Sequence, residues 1–388
     1  MIHLLLAVIY LSFISLGLPD SLLGSAWPVM YKEFDVPVSY AGAVFMIISA
    51  GTIISSLQSD RLTRKLGTGK VTALSVLTTA IALWGFSVSS EYWHLVLWAV
   101  PYGLGAGSVD ASLNNYVALH YESRHMSWLH CMWGVGASVG PYIMSYALTN
   151  NHGWNMGYRY ISYIQLILTI IIMLSLPLWK GRISEDNQVE GSRALRLTEI
   201  VKIAGVKQVM LMFFCYCALE QTAGLWASSY LVLEHGVDSE TAAGFGSMFF
   251  IGITVGRAIS GFVTMKLNDN QMIRLGQCII FGGIVLMCLP FGHIISLTGL
   301  TIIGLGCAPI YPCIIHSTPY NFGADKSQAI IGVQMASAYV GNLLMAPLFG
   351  VIADYISVKL FPVYLMILLA VMVIMHIQLK KENNLHYR

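Results

Sequence analysis

Apolar stretches long enough to cross a bilayer recur from one end of this sequence to the other. A helix needs about 20 mostly apolar residues to span the hydrocarbon core. Twelve segments meet this requirement, at residues 4–30, 40–58, 71–89, 93–119, 128–149, 158–178, 209–233, 241–263, 272–289, 293–317, 327–354 and 358–379. The ten-residue alternation of polar and apolar residues that is typical of membrane β-barrels is not seen. The sequence therefore predicts an all-α membrane protein with twelve transmembrane helices.

The composition supports lipid as the main surroundings of the chain. Of its 388 residues, 56% are hydrophobic and 10% are charged, whereas soluble domains carry roughly 25% charged residues. The net charge of +2 is too small to indicate a nucleic-acid partner. The seven cysteines have no zinc-type spacing, and the sequence has no phosphate-binding loop or hydrolase motif. We predict a protein without metal or cofactor that is not an enzyme.

The distribution of Lys and Arg predicts the orientation, because these residues accumulate in cytoplasmic loops. With both termini inside, only Lys32, Arg159 and Lys359 of the 21 Lys and Arg residues fall outside, and the other 18 fall on the cytoplasmic side. An even number of spans agrees with this arrangement. We predict a multi-pass protein of the cell membrane with both termini in the cytoplasm.

A long polar segment divides the twelve predicted spans into two groups of six. It covers residues 180–207 and mixes both charge signs, as expected for a cytoplasmic linker, and a helix at the membrane surface is predicted around Ala194–Ala204. The predicted domains are therefore an N-terminal six-helix bundle over 1–179 and a C-terminal six-helix bundle over 208–388.

The two groups of spans carry an internal repeat at an offset of 200 to 201 residues. The matching pairs are Asp20 and Gly24 with Glu220 and Gly224, Gly103-Leu104-Gly105 with Gly304-Leu305-Gly306, and Val139-Gly140 with Val340-Gly341. Three matches in the same register are not expected by chance. Parallel repeats of this kind place a substrate site between the halves near the bilayer midplane, with access that alternates between the two sides.

The segment after the second span resembles a signature of the major facilitator superfamily, the cytoplasmic loop Gly-x-x-x-Asp-Arg-x-Gly-Arg-Lys. Residues Ser59 to Lys70 follow the second span, and the two glycines of the signature are replaced by Ser56, near the end of that span, and by Thr63. A weaker copy begins at Gly256, near the inner end of the eighth span. The resemblance implies the superfamily's twelve-helix fold. It also implies that Asp60, Arg61, Arg64 and Arg257 have roles in gating.

Further short motifs are similar to those of the fucose-permease-like and sodium-glucose-transporter-like sugar symporters. They are Gly17-Leu18-Pro19-Asp20 in the first span, Asp110-Ala111-Ser112-Leu113-Asn114 in the fourth, His130, Gly134, Gly136 and Gly140-Pro141 in the fifth, and Ala308-Pro309-Ile310-Tyr311-Pro312 in the tenth. The fourth-span motif has Asp where that group has Glu. This resemblance implies symport of a sugar with protons.

Three acids lie inside apolar spans: Asp20, Asp110 and Glu220. A charge near the bilayer centre costs at least a few kcal/mol, so intramembrane acids usually face an interior cavity and have a function. A carboxyl group in such a cavity can take a proton from one side and release it to the other. We predict that all three acids couple transport to protons. Coordination of Na⁺ by carboxylate and backbone oxygens is the alternative, as is a carboxyl group that only hydrogen-bonds neighbouring helices.

Polar and aromatic residues accompany these acids at helical spacing. The candidates for substrate binding are Asn114, Asn115, His130, Trp133, Gln221, Trp226, Tyr230, Gln334 and Asn342. Amides and carboxylates bind sugar hydroxyls, and flat aromatic rings pack on the apolar face of a sugar. Hydrogen bonding between helices is the alternative for the amides, and packing is the alternative for the aromatic residues and His130.

The predicted function is secondary active transport of a small polar solute, a monosaccharide being the leading candidate, with H⁺ and by alternating access. The partners are then the solute, the coupling ion and the bilayer, and we predict a monomer. Two other functions are compatible with the same fold. One is proton-coupled efflux of amphipathic compounds, and the other is that of a non-transporting membrane sensor or lipid scramblase.

Overall fold

The computed structural model describes residues 2–20, 22–37, 40–180, 195–237, 239–289 and 292–386, and within these ranges it is helical without strands. The helices are α1 (Ile2–Asp20), α2 (Leu22–Glu33), α3 (Tyr40–Leu66), α4 (Thr68–Ser87), α5 (Tyr92–His120), α6 (Ser123–Thr149), α7 (Gly153–Lys180), α8 (Leu197–Ile200), α9 (Val206–His235), α10 (Ser239–Val263), α11 (Asp269–Met287), α12 (His293–Cys307), α13 (Ile310–His316), α14 (Thr318–Phe322), α15 (Ala324–Tyr355) and α16 (Phe361–His386). A 3₁₀ turn, Val358–Leu360, precedes α16.

Every predicted span coincides with a helix or with a pair of consecutive helices. The first span contains α1 and α2, and the tenth contains α12 and α13. The predicted fold class is confirmed. The predicted surface helix around residues 194–204 is reduced to the four residues of α8, and most of the preceding linker lies outside the described residues.

The tenth span is interrupted where the sequence places two prolines. Helix α12 ends at Cys307, and α13 begins at Ile310 after Ala308 and Pro309. Proline has no backbone N–H and its ring clashes with the preceding turn, so an interruption here is expected. The interruption falls within the Ala308–Pro312 motif of this span.

The predicted loop after the second span is mostly helical, and the prediction is wrong for those residues. Helix α3 continues through Arg61, Arg64 and Lys65 to Leu66, and α4 begins at Thr68. Charged residues end the apolar segment, but Arg, Lys and Leu all favour helix, so the backbone continues beyond it. Gly67 makes the turn with φ of 76°, a conformation that glycine adopts without strain.

Nine helical spans in the described ranges are long and apolar enough to cross a membrane; α5, α6 and α10 are not among them, and α10 contains a shorter apolar segment, Met248–Val263. Helices α5 and α6 carry polar candidates, including Asp110 and Asn114 on α5 and His130 on α6. Polar residues in membrane helices face the protein interior or a water-filled cavity. The lower apolarity of α5 and α6 therefore marks them as the helices to search for a site.

The described residues form two compact units. The first contains the chain up to Tyr116 together with α6 from Leu129 onward and α7. The second contains Val117–Trp128 and the chain from Leu195 onward. The bend between α5 and α6 thus groups with the second unit, whereas the sequence places it in the N-terminal bundle.

Glycines of the internal repeat allow close helix packing in the first unit. A Cβ atom on Gly103 of α5 would overlap the carbonyl oxygen of Ile48 on α3. A Cβ atom on Gly105 would contact the carbonyl oxygen of Ser75 on α4 too closely. The fourth span therefore packs its backbone directly on the second and third spans, as small residues allow in membrane helices.

The equivalent glycines have equivalent contacts in the second unit. A Cβ atom on Gly304 of α12 would overlap the carbonyl oxygen of Phe249 on α10, and one on Gly306 would contact that of Gly276 on α11 too closely. The tenth span thus packs on the eighth and ninth spans as the fourth packs on the second and third. The repeat in the sequence is a repeat in packing.

Candidate functional site

The carboxyl group of Asp20 is placed by close packing of α1 against α6. A Cβ atom on Gly17 would overlap the backbone oxygen of Trp133, and one on Gly136 would overlap that of Ile14. With both positions glycine, the two backbones touch. Asp20 follows Gly17 by three residues, so its carboxyl group reaches the indole of Trp133.

Two neutral donors hold Asp20. The indole Nε1 of Trp133 donates to Oδ2 at 2.8 Å, and the hydroxyl of Tyr102 on α5 donates to Oδ1 at 3.4 Å. Tyr102 is buried, whereas Asp20 is exposed and Trp133 is half-buried. The acid is therefore accessible to a small ligand, and the indole ring lies directly beside it.

A chain of hydrogen bonds joins three predicted site residues on α5 and α6. The Asn114 amide nitrogen donates to Oδ1 of Asp110 at 2.8 Å, and Asn114 Oδ1 lies 3.0 Å from Nε2 of His130. Because an amide oxygen can only accept, His130 Nε2 carries the hydrogen of this bond. Asn114 is fully buried, and the edge of Phe13 packs on the His130 ring at 5.4 Å. The three residues act as one connected unit.

The two candidate acids of the first unit, Asp20 and Asp110, influence one another electrostatically. Two negative charges repel more strongly in a low-dielectric interior than in water. A proton bound by either acid relieves this repulsion.

The acid of the second unit is held differently, by a cation. Glu220 forms an ion pair with Arg257, whose Nη2 lies 3.4 Å from Oε1, and accepts a hydrogen bond from the Tyr216 hydroxyl. The Arg257 side chain is 5% exposed and that of Glu220 is 22% exposed. The Tyr216 hydroxyl also lies 3.0 Å from the carbonyl oxygen of Cys307, where α12 ends. The ion pair therefore joins α9 to α10 beside the interruption of the tenth span.

Arg257 lies within α10, the helix of the eighth span. Its place in the weaker copy of the loop signature implied a role in gating. The structure buries it against Glu220, which lies 37 residues earlier in the chain. Its gating role stays a prediction, but its observed contact is with a candidate acid.

The residues of the loop signature form a local ion pair on α3. Asp60 is buried, and its Oδ1 lies 2.9 Å from Nε of Arg64, one turn later. Arg61 points elsewhere, and its exposed guanidinium donates to Gln58 at 3.3 Å. The gating roles of Asp60, Arg61 and Arg64 stay predictions.

We expect Asp60→Ala to slow transport several-fold with little change in substrate affinity. The variant releases Arg64 from its buried partner on the same helix, whereas the candidate acids Asp20 and Asp110 are carried by α1 and α5 and have their own partners. Turnover and substrate affinity, measured separately in proteoliposomes and by ligand binding, test this. Asp325→Ala is the control, because Asp325 is an exposed acid whose 3.9 Å contact with Lys326 is weak. A large loss of affinity at unchanged turnover would contradict the gating role.

The predicted aromatic binding residues on α9 are engaged in helix packing. Trp226 donates to the carbonyl oxygen of Ala346 at 3.0 Å, and its ring packs on the edge of Phe349 at 5.4 Å. Tyr230 is buried and packs against Phe361 at 5.1 Å. These contacts are those of the packing alternative, and substrate binding by either residue stays a prediction.

The remaining amide candidates are dispersed. Gln334 is fully buried and donates to the Thr318 hydroxyl at 3.0 Å, which ties α14 to α15. Gln221 is exposed, Asn342 is half-buried and Asn115 is buried. Their roles in binding stay predictions.

Two tyrosines complete the acid sites and were missed by sequence reasoning. Tyr102 donates to Asp20 from α5, and Tyr216 donates to Glu220 from one turn earlier on α9. The four-residue spacing of Tyr216 and Glu220 is a signal that the sequence contains. No spacing in the sequence relates Tyr102 to Asp20, because they are 82 residues apart on different helices.

The family model of the Major Facilitator Superfamily matches residues 9–346. The chain belongs to this superfamily. It is therefore a multi-pass membrane transporter with the expected fold. Members of this superfamily are transporters, which agrees with the prediction that the protein is not an enzyme.

Other proteins are similar to this chain over most of its length. "Bypass of stop codon protein 6" of Saccharomyces cerevisiae is 22% identical over 395 residues, which cover 92% of this chain and 78% of that protein. "Glucose/mannose transporter GlcP" of Bacillus subtilis is 21% identical over 353 residues, which cover 88% of this chain and 86% of GlcP.

The fold is similar to that of the E. coli fucose:proton symporter, FucP. Two crystal structures of FucP superpose with TM-scores of 0.79 and 0.76 at 16% and 17% sequence identity. In both cases 97% of this chain and 98% of FucP are covered. At this level of identity the likeness shows the fold.

Proposed function

We propose that this protein is a symporter that moves a small polar solute of the monosaccharide class together with protons, by alternating access. The observation that carries the proposal is the connected chain of Asp110, Asn114 and His130, together with the accessible Asp20, which Trp133 and Tyr102 hold. Proton coupling needs an acid that exists in both protonation states during the cycle. An acid held by neutral donors meets that need.

In this proposal Asp20 and Trp133 bind the solute. The carboxylate accepts hydrogen bonds from solute hydroxyls, and the half-buried indole packs on the apolar C–H face of the ring. The Trp133–Asp20 hydrogen bond of 2.8 Å fixes both groups before the solute arrives. A pre-organised pair binds with less loss of conformational entropy.

Glu220 has a different role from the other two acids. Arg257 compensates its negative charge, so Glu220 does not need a proton to be accommodated in the protein. We assign proton binding to Asp20 and Asp110. The Glu220–Arg257 pair instead joins the seventh and eighth spans.

The remaining parts of the proposal follow from the sequence. The halves 1–179 and 208–388 rock about the site, joined by the linker 180–207. The excess of Lys and Arg in the inner loops supports cytoplasmic termini, in the cell membrane. We propose that a monomer is sufficient for transport.

The relatives support a sugar as the solute. GlcP is named for glucose and mannose, and FucP is named as a fucose:proton symporter. Efflux of amphipathic compounds is less favoured, because the accessible groups at Asp20 and Asp110 are polar. A sensor or a scramblase would not accumulate a solute across the membrane.

Uptake of labelled monosaccharides into proteoliposomes tests the proposal. We expect accumulation above equilibrium when a pH gradient is imposed, equilibration without it, and no accumulation from a Na⁺ gradient alone. Asp20→Asn should lose binding and uptake, while Asp325→Asn should keep both. Accumulation driven only by Na⁺ would refute proton coupling. If neither gradient nor counterflow moves any sugar in a panel that also includes nucleosides and drugs, the monosaccharide assignment is wrong.

A further inference from the structure

An imidazole lies at the end of α13 with both ring nitrogens engaged. Nδ1 of His316 is 2.6 Å from Oδ2 of Asp269, at the start of α11, and Nε2 is 3.0 Å from the carbonyl oxygen of Tyr121. The hydroxyl of Ser123 donates to the other carboxyl oxygen of Asp269 at 2.5 Å. Tyr121 and Ser123 belong to the bend between α5 and α6, so three separate parts of the second unit meet at His316.

These contacts fix the number of protons in the cluster. A carbonyl oxygen can only accept, so Nε2 of His316 carries a hydrogen. The short contact of Nδ1 with the carboxyl group needs a second hydrogen, either on the ring or on Asp269. The His316–Asp269 pair therefore holds one proton more than a neutral imidazole and a carboxylate.

The buried imidazole of His376 differs in that respect. His376 on α16 lies 3.2 Å from amide oxygens of both Gln277 and Asn270. An amide group can turn and offer its NH₂ to a ring nitrogen that lacks hydrogen, so a neutral His376 can satisfy both contacts. A carboxylate and a backbone carbonyl do not have this freedom.

Few charged groups compete for the His316 proton. The charged group in contact with the ring is Asp269. Of the titratable groups on neighbouring parts, Cys313 has its Sγ 3.9 Å from the Ser123 hydroxyl. The rings of Tyr121 and His125 pack edge-on against each other at 5.7 Å. Glu122 and Arg124 form an ion pair with each other at 3.1 Å.

We propose that the His316–Asp269 pair is a proton-binding site distinct from Asp20 and Asp110, and that its proton holds the α5–α6 bend onto α11 and α13. Without the proton, one nitrogen lone pair faces either the carboxylate or the Tyr121 carbonyl, and the loss of that contact weakens the attachment of the bend to α11 and α13. The bend is continuous with α5, the helix of Asp110 and Asn114, and with α6, the helix of His130 and Trp133.

The role of this site in transport rests on the proposed function, whereas proton binding by the His316–Asp269 pair does not. By the charge rule the bend lies on the predicted cytoplasmic side, so the site would report cytoplasmic pH. A low pH would keep the bend held, and a rise in pH would release it. Proton binding itself can be measured in purified protein without any substrate.

Hydrogen exchange of the full chain in detergent or nanodiscs tests the proposal. After correction for the intrinsic pH dependence of exchange, we expect protection of residues 117–128 to fall roughly tenfold or more as pH rises through the imidazole titration, because a charge-assisted hydrogen bond is lost. His316→Gln and Asp269→Asn should each remove this pH dependence. His376→Gln is the matched control and should leave it unchanged.

Each of the opposite results overturns the proposal. The first is that hydrogen exchange of residues 117–128 in the unmodified protein does not change with pH. The second is that its pH dependence persists in folded His316→Gln or Asp269→Asn. The third is that His376→Gln loses the pH dependence to the same extent. Size-exclusion and thermal unfolding establish that each variant is folded. If both His316→Gln and Asp269→Asn unfold, the unmodified protein and the His376→Gln control still decide the outcome. A failure of sugar transport in proteoliposomes would not affect this measurement, so the two proposals fail separately.

Discussion

Replacing Asp110 by asparagine is expected to abolish accumulation driven by a pH gradient while leaving part of the substrate exchange across the membrane. The amide oxygen of the introduced side chain can still accept the 2.8 Å hydrogen bond that Asn114 donates to Asp110, so the fold around α5 is preserved. The variant has no group at this position that binds and releases a proton. It therefore loses the coupling and keeps the pathway.

The two activities are measured on the same proteoliposomes, as uptake under a pH gradient and as exchange of labelled for unlabelled solute. We expect accumulation to fall by at least about tenfold. One proton that moves down a gradient of one pH unit supplies about 1.4 kcal/mol, which corresponds to a factor of ten in solute concentration, and the variant loses this contribution. Asp325→Asn, an exposed acid on α15, serves as the matched control and should retain accumulation. Unimpaired accumulation by Asp110→Asn would remove this residue from proton coupling.

Replacing Glu220 by glutamine is expected to destabilise the second unit strongly. The substitution leaves the guanidinium of Arg257, which is 5% exposed, without its carboxylate. Removal of one partner of a buried ion pair costs about 3–5 kcal/mol, because the other charge stays buried and uncompensated. The partial exposure of Glu220 places the expected loss towards the lower end of this range. Thermal or denaturant unfolding in detergent measures it.

Two further variants establish that the effect comes from the uncompensated charge. The double variant Glu220→Gln with Arg257→Met removes both charges and should be more stable than Glu220→Gln alone. Glu234→Gln breaks the contact with Lys359, whose side chain is 73% exposed, and should cost at most about 1 kcal/mol. A Glu220→Gln protein as stable as the unmodified one would show that the pair contributes no net stability.

The spans were predictable from the sequence, and their exact ends were not. Hydropathy reports where lipid surrounds the chain, so all twelve segments were found. It does not report where the helix itself ends. Helix α3 therefore continues past its apolar part to Leu66 and stops where Gly67 takes a positive φ. The interruption before Ile310 was predictable because proline acts on the backbone directly.

The site was predictable where its contacts are local along one helix. Asp110 and Asn114 are four residues apart, a spacing that predicts a shared helix face. In the structure the amide nitrogen of Asn114 lies 2.8 Å from Oδ1 of Asp110. Contacts between helices depend on how the helices are rotated and on their relative height, which one sequence does not specify. The pairing of Arg257 with Glu220 was missed for this reason, and the sequence left both packing and substrate binding open for Trp226.

The buried amide of Asn114 has a consequence for how the two helices communicate. In the observed arrangement its NH₂ faces Asp110 and its oxygen faces His130, which suits an ionised acid and a ring that carries hydrogen on Nε2. If a proton binds to Oδ1 of Asp110, that oxygen becomes a donor, and a half-turn of the Asn114 amide would offer it an acceptor. The NH₂ group would then face His130, which accepts through Nε2 only in the tautomer that carries its hydrogen on Nδ1. Protonation of that oxygen on α5 would thereby favour a change of tautomer on α6, without a charge crossing between the helices.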